Sequence, residues 1–133
     1  MMSKPNPTDR KYTKEHEWAK NNGDGTITMG ITDHAQELLT DIVFVELPAI
    51  GKRVRQMEPV AVVESVKSVS DVYSPVSGEV VAVNSILEEH PELVNQDAFG
   101  EGWMVKLTME DPLELNNLMD ASGYEEMIKE VKH

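Results

Sequence analysis

A single amine stands out in the segment from Val60 to Val80. Lys67 is the only basic residue there. Val60-Ala61-Val62-Val63 is a continuous apolar run, the pattern of a strand covered on both faces. A short polar turn around Lys67 follows. Val69, Val72, Tyr73 and Val76 then supply the β-branched and aromatic residues of a return strand. Pro75 and Ser77-Gly78 break it. The expected hairpin holds one lysine at its tip between short side chains, where another protein can grip and modify it. A lone exposed lysine at a turn is ordinarily solvated surface, so the argument rests on the whole segment.

Other chemistries find less support. His16, His34, His90 and His133 show no metal-ligand spacing, and the chain has no H-E-x-x-H. His16 and His34 can meet in space, where a structural role is the expectation. No G-x-S-x-G, P-loop or G-x-G-x-x-G occurs, and Gly100-Glu101-Gly102 is too short to cradle phosphate. Asn21-Asn22-Gly23-Asp24-Gly25 lacks the spaced acids of a calcium loop. Glu64 with Asp71 is not, in so acidic a chain, evidence of acid–base catalysis. A net charge of −12 disfavours nucleic acid and anionic membranes and favours protein partners with basic docking faces. No apolar run approaches membrane-spanning length. Met1-Met2-Ser3-Lys4-Pro5 resembles neither a signal nor a transit peptide. The expected location is the cytoplasm, or the mitochondrial matrix for a processed eukaryotic chain.

The elements that must carry the hairpin follow from pattern. Residues 1–10 are polar with two prolines and are expected to be disordered; residues 11–133 form one domain. Tyr12 to Lys20 reads as an edge strand, paired through a turn with Thr26 to Ile31, whose Ile27, Met29 and Ile31 share a face. Asp33 with Gln36 is a capping box for a helix over about 34–40. Val43 to Leu47 is a strand stopped by Pro48, and Gly51 to Glu58 a basic loop. Glu79 to Val83 reads as a buried strand. It shares the pattern E-x-V-A-V with Glu58 to Val62, which suits two half-motifs packed face to face. Ser85 with Glu88 caps one helical turn, and Pro91 to Gln96 is a loop with room for another. Trp103 to Met109 alternates as the last strand. Asp111-Pro112-Leu113-Glu114 opens a helix. A second helix starts near Ser122, with a Tyr124, Met127, Ile128 and Val131 stripe.

The string Glu64-Ser65-Val66-Lys67, then Val69-Ser70-Asp71-Val72 and Ser74-Pro75-Val76-Ser77-Gly78-Glu79-Val80, resembles the lipoyl-attachment segment of the glycine cleavage system H proteins. The resemblance runs from about Lys11 to Ile128. It includes Tyr12-Thr13-Lys14-Glu15-His16-Glu17-Trp18, Gly30-Ile31-Thr32-Asp33-His34-Ala35-Gln36, Asp41 to Pro48, Pro91-Glu92-Leu93-Val94-Asn95 and Gly100-Glu101-Gly102-Trp103, in the family's order. Biotin carriers share the fold but carry Met-Lys-Met, where this chain has Val66 and Ser68. One departure is Met57, where the family usually has glycine; methionine tolerates a positive φ poorly.

The resemblance implies a mainly β fold: a flattened sandwich of two intertwined half-motifs (a barrel-sandwich hybrid, lipoyl-domain-like), with short peripheral and C-terminal helices. It implies a carrier without catalysis of its own, with lipoic acid covalently attached to Lys67. That arm shuttles the aminomethyl group of glycine from glycine decarboxylase to aminomethyltransferase. Dihydrolipoamide dehydrogenase reoxidises it, and a lipoate ligase or lipoyl transferase installs it. Absence of cysteine suits a dithiol cargo, since no nearby thiol can be trapped by exchange. Glu64 is either a solvated turn carboxylate or a contact that positions Lys67 for the ligase. Glu17 and Asp71 are expected beside the cleft that receives the loaded arm, with Trp18 as an apolar wall. Two alternatives are a relay that donates lipoyl groups to other lipoyl domains and an unmodified protein-interaction module.

Overall fold

The computed structural model describes residues 5–130. Residues 1–4 of the N-terminal segment, Val131 of the expected stripe and His133 lie outside them. Nine strands form two antiparallel sheets. They are β1 (Lys11–Tyr12), β2 (Glu17–Asn21), β3 (Thr26–Ile31), β4 (Ile42–Glu46), β5 (Arg53–Val54), β6 (Pro59–Ser65), β7 (Val69–Tyr73), β8 (Gly78–Val83) and β9 (Val105–Thr108). The order is β1-β2-β3-β9-β8-β5 in the larger sheet and β4-β6-β7 in the smaller. Both sheets contribute to one apolar core, where Ile27, Met29, Val63, Val72, Val80 and Leu107 are buried. This is the expected flattened sandwich. Helices α1 (Asp33–Leu39), α2 (Leu93–Gln96) and α3 (Ala121–Glu130) sit around it, with 3₁₀ turns at Ser85–Glu88 and Pro112–Asn117.

Alternation places the strands as the sequence requires. Ile27, Met29 and Ile31 all point inward, and β2 pairs with β3 through Asn21↔Ile27. The two copies of E-x-V-A-V lie on different sheets, with Val60, Ala61 and Val80 meeting in the shared core.

Turn chemistry accounts for several departures. The expected strand from Tyr12 to Lys20 is broken into β1 and β2. The Thr13 carbonyl accepts from His16 N–H at 3.2 Å, and His16 adopts φ 76°, folding the chain back on itself. The expected loop at 51–58 contains β5. Gly51 N–H donates to the Val80 carbonyl and Val80 N–H to the Lys52 carbonyl, each at 2.8 Å, docking that stretch on β8. The runs expected to be covered on both faces are only partly covered on the second. Val62 and Glu64 are half-buried on β6, and Val81 on β8 is exposed.

The caps move by one residue. Thr32, not Asp33, caps α1, its hydroxyl accepting from Ala35 N–H at 3.1 Å, while Gln36 reaches back to Asp33. Asn84 rather than Ser85 precedes the first 3₁₀ turn, and its amide bonds the Glu101 and Trp103 carbonyls. Asp111 caps as expected, but a 3₁₀ turn follows, and Glu114 instead accepts from the Ser77 N–H and hydroxyl at 2.7 Å. Residues 5–10 carry no helix or strand. They are tied down where Arg10 donates to the Phe99 carbonyl and its guanidinium lies 4.6 Å over the Trp18 ring. Met57 holds φ 68°, so the turn keeps the left-handed geometry that glycine would adopt there.

Candidate functional site

Lys67 stands at the tip between β6 and β7, exposed, beyond the last strand pair Glu64↔Val69. Serines fix its backbone. Ser65 N–H donates to the Ser68 carbonyl at 2.8 Å, and the Ser65 hydroxyl accepts from the N–H of Ser68 at 3.1 Å and of Lys67 at 3.3 Å. Short polar side chains that bond their own backbone are turn formers. Here they leave the tip narrow and its backbone donors satisfied. Val66 N–H donates to the Asp41 carbonyl at 3.0 Å, joining the tip to the start of β4. Around the lysine lies an apolar collar: Val66 and Val69 are 65% and 67% exposed, with Leu38, Val43 and Phe44 also open to solvent.

Beside the hairpin opens a cleft of about 440 Å³. Val69 to Tyr73 form one side; Ala35, Leu38 and Leu39 of α1 form another; Glu15, His16 and Glu17 close the end. The structure therefore brings Glu17 and Asp71 to one cleft, lined by β7, which begins two residues after Lys67. Trp18 is not a wall of it. Its side chain points to the opposite face of the sheet, packs on Gly30 and donates to the Ala98 carbonyl at 3.0 Å. The aliphatic side chains of Ile31, Leu38, Leu39 and Val63 line the cleft instead.

The two acids differ. Asp71 is exposed, opposite Val62 on β6. Glu17 is only 1% exposed. One of its oxygens accepts from the Thr13 hydroxyl and the other from Tyr73 N–H at 3.0 Å. Because Tyr73 belongs to the smaller sheet and Glu17 to the larger, this carboxyl ties the two together. Burial pushes Glu17 from its ordinary 4.5 up to about 7, against the opposing pull of the Thr13 and Tyr73 hydrogen bonds. Each carboxylate oxygen retains a second lone pair for a donor entering the cleft.

Glu64 is half-buried, paired across the sheet with Phe44 and Val69. Among the described residues its carboxylate accepts no hydrogen bond, so it is open to an outside partner. His16 and His34 do meet, with ring centroids 5.0 Å apart. No group of three His, Asp or Glu side chains among the described residues is placed to hold a metal. Burial, then the neighbouring His34, holds His16 below its ordinary value.

Sequence reasoning missed Asn95. Its amide donates to the Gln36 side chain and the Thr40 carbonyl at 2.8 Å and accepts from Ile42 N–H at 2.9 Å. It thus clamps the end of α1 to the start of β4, fixing the cleft wall relative to the hairpin. The Pro91-to-Asn95 string was its only sequence signal.

The chain is similar to known proteins over most of its length. The family model for glycine cleavage H-protein matches residues 10–131. The glycine cleavage system H protein of Shewanella frigidimarina is 56% identical over 124 residues, covering 93% of this chain and 96% of its own. That of Idiomarina loihiensis is 53% identical with the same coverage. The crystal structure of a glycine cleavage system H protein from Mycobacterium marinum superposes with a TM-score of 0.82 at 36% identity, covering 93% of this chain and 99% of that one.

Proposed function

The chain belongs to the glycine cleavage H-protein family, and from that premise we propose that it is the lipoyl carrier of a glycine cleavage system, with lipoic acid in amide linkage to Nζ of Lys67. When attached, that group supplies a disulfide that takes up the aminomethyl group of glycine and is left as a dithiol after passing it on. This chain contributes placement, and the chemistry belongs to the cofactor and to the partner enzymes.

The observation that carries the reading is that β7, which lines the cleft, begins two residues after Lys67. An extended lipoyl-lysine side chain reaches on the order of 14 Å, at about 1.25 Å advance per bond. Asp71 lies four residues along the chain, at most roughly 13 Å away at the rise of a strand. The cleft volume lies within the usual range for small-molecule sites. Its aliphatic middle suits a hydrocarbon arm. Its acidic end, Glu17 with Asp71 near it, suits an ammonium, which forms stronger, charge-assisted bonds with carboxylates. Excluding water there protects a hydrolysable cargo.

Glycine decarboxylase, aminomethyltransferase and dihydrolipoamide dehydrogenase are the partners of this reading, in the cytoplasm, and a lipoate ligase or lipoyl transferase loads the lysine. The apolar collar around Lys67, with the half-buried Glu64 beside Phe44 and Val69, offers a surface for them to grip. A tethered arm raises the effective concentration of the cargo at each partner's site. The test is a reconstitution with the three partner enzymes and labelled glycine. The lipoylated protein supports glycine-dependent transfer to tetrahydrofolate. Loss of that transfer with full lipoylation overturns the reading and favours a relay of lipoyl groups to other domains.

A further inference from the structure

Helix α3 contributes no residue to the cleft, yet one of its hydroxyls joins the end of the cleft to the helix that forms one side. Tyr124 is fully buried, its ring stacked on Tyr12 with centroids 4.9 Å apart. Its hydroxyl lies 2.7 Å from His16 Nδ1 and 2.8 Å from the Thr32 hydroxyl. His16 lines the cleft directly beside Glu17. Thr32 caps α1, which carries Ala35, Leu38 and Leu39 of one side of the cleft. A single oxygen therefore ties the end of the cleft to one of its sides.

Donor counting fixes the direction of this chain. Thr32 Oγ1 already accepts from Ala35 N–H, and Thr32 is fully buried. Its own proton needs an acceptor, because a buried unsatisfied donor is costly, and the Tyr124 oxygen is the acceptor at hand. Tyr124 then donates onward to His16 Nδ1. The imidazole is left neutral, with its proton on Nε2. The backbone of His16 is also left-handed at φ 76°. Such a conformation persists in a non-glycine residue only where its surroundings over-determine it. The Tyr124 hydrogen bond, the His34 ring and the Thr13 carbonyl are those surroundings.

We propose that Tyr124 is a positioning residue for the arm cleft: from behind the lining it fixes the His16–Glu17 turn against the start of α1 and sets the tautomer of His16. This role rests on the carrier reading for its purpose, but the geometry can be tested without the arm.

The experiment uses the full chain as wild type, Tyr124→Phe and Thr32→Ser. Phenylalanine keeps the ring stacking and removes the hydroxyl; serine keeps the hydroxyl of the chain. In unlipoylated protein, nitrogen NMR of His16 is expected to show a proton on Nε2 in wild type and Thr32→Ser, and mixed tautomers in Tyr124→Phe. After lipoylation at an unchanged rate by a lipoate ligase, and loading by glycine decarboxylase with glycine, Tyr124→Phe releases formaldehyde about three- to tenfold faster, the effect of about one hydrogen bond. A proton on Nδ1 of wild-type His16 overturns the proposal whether or not the variant folds. So does release from Tyr124→Phe at the wild-type rate. Wild-type release as fast as from free loaded lipoamide overturns the carrier reading instead, leaving the tautomer result to decide the role of Tyr124.

Discussion

Replacing Glu17 by glutamine alters how stability depends on pH. Burial raises the folded carboxyl from 4.5 to about 7. The native state then holds its proton where the unfolded chain has lost it. Its contribution is full below about 4.5, falls as pH rises through the window, and is gone above about 7. At 1.36 kcal/mol per pKa unit the loss is about 3 kcal/mol, or roughly 10 °C in Tm for a chain of this size. Glutamine cannot ionise, so the variant should lack that decline. It also turns an N–H₂ donor toward groups that now meet a carboxylate, a cost that does not vary with pH and cancels between the two ends of the window. His16 acts in the opposite sense: its depressed value gives stability that is present above its ordinary 6.5 and lost as pH falls. It is common to both proteins and cancels as well. Urea denaturation followed by tryptophan fluorescence across the window measures the two curves. The difference between wild type and Glu17→Gln should change by about 3 kcal/mol from one end to the other. Parallel curves would refute the view that Glu17 is a desolvated carboxyl tying the sheets together.

Other changes probe other parts of the account. Glu64→Ala should slow lipoylation severalfold while shifting Tm by only a few degrees, since the carboxylate is half-buried and accepts no hydrogen bond among the described residues; an unchanged rate, read by mass, would remove Glu64 from ligase recognition. Gly78→Ala places a Cβ 1.7 Å from the Thr108 carbonyl oxygen. It must part β8 from β9 at a cost of about 3 kcal/mol or more, and a urea midpoint near wild type would contradict this. Met57→Gly removes the left-handed penalty at φ 68°, roughly 1–2 kcal/mol, against about 0.5–1 kcal/mol of added backbone entropy. Its stability should therefore rise slightly, and a clear loss in denaturation would mean that the methionine side chain matters more than its backbone.

The hairpin tip was legible because its signals are local. Apolar strands on either side of a polar turn leave Lys67 one place to be, and the serines that fix the turn adjoin it in sequence. Alternation likewise gave β3 and its partner. Elements held by distant contacts were not legible. β5 is two residues long and exists because Gly51 and Lys52 dock on Val80. Thr32 took the cap from Asp33 because backbone geometry decides which of two adjacent oxygens faces Ala35 N–H. Trp18 was read as a cleft wall, yet in a strand its side chain must point opposite to Glu17, the neighbour that does line the cleft. The depth of Glu17's burial depends on Tyr73, 56 residues away. The bond from Tyr124 to His16 spans 108 residues, and no local pattern announces it.

Intact mass spectrometry after incubation with a lipoate ligase, lipoate and ATP tests the central claim most directly. Wild type should gain one lipoyl group and no more, because Lys67 stands exposed at the serine-fixed tip between β6 and β7. Lys67→Arg, which keeps the charge and the turn, should gain none. An unmodified wild type, or a lipoyl group on the Lys67→Arg protein, would contradict the assignment of this chain as a carrier loaded at Lys67.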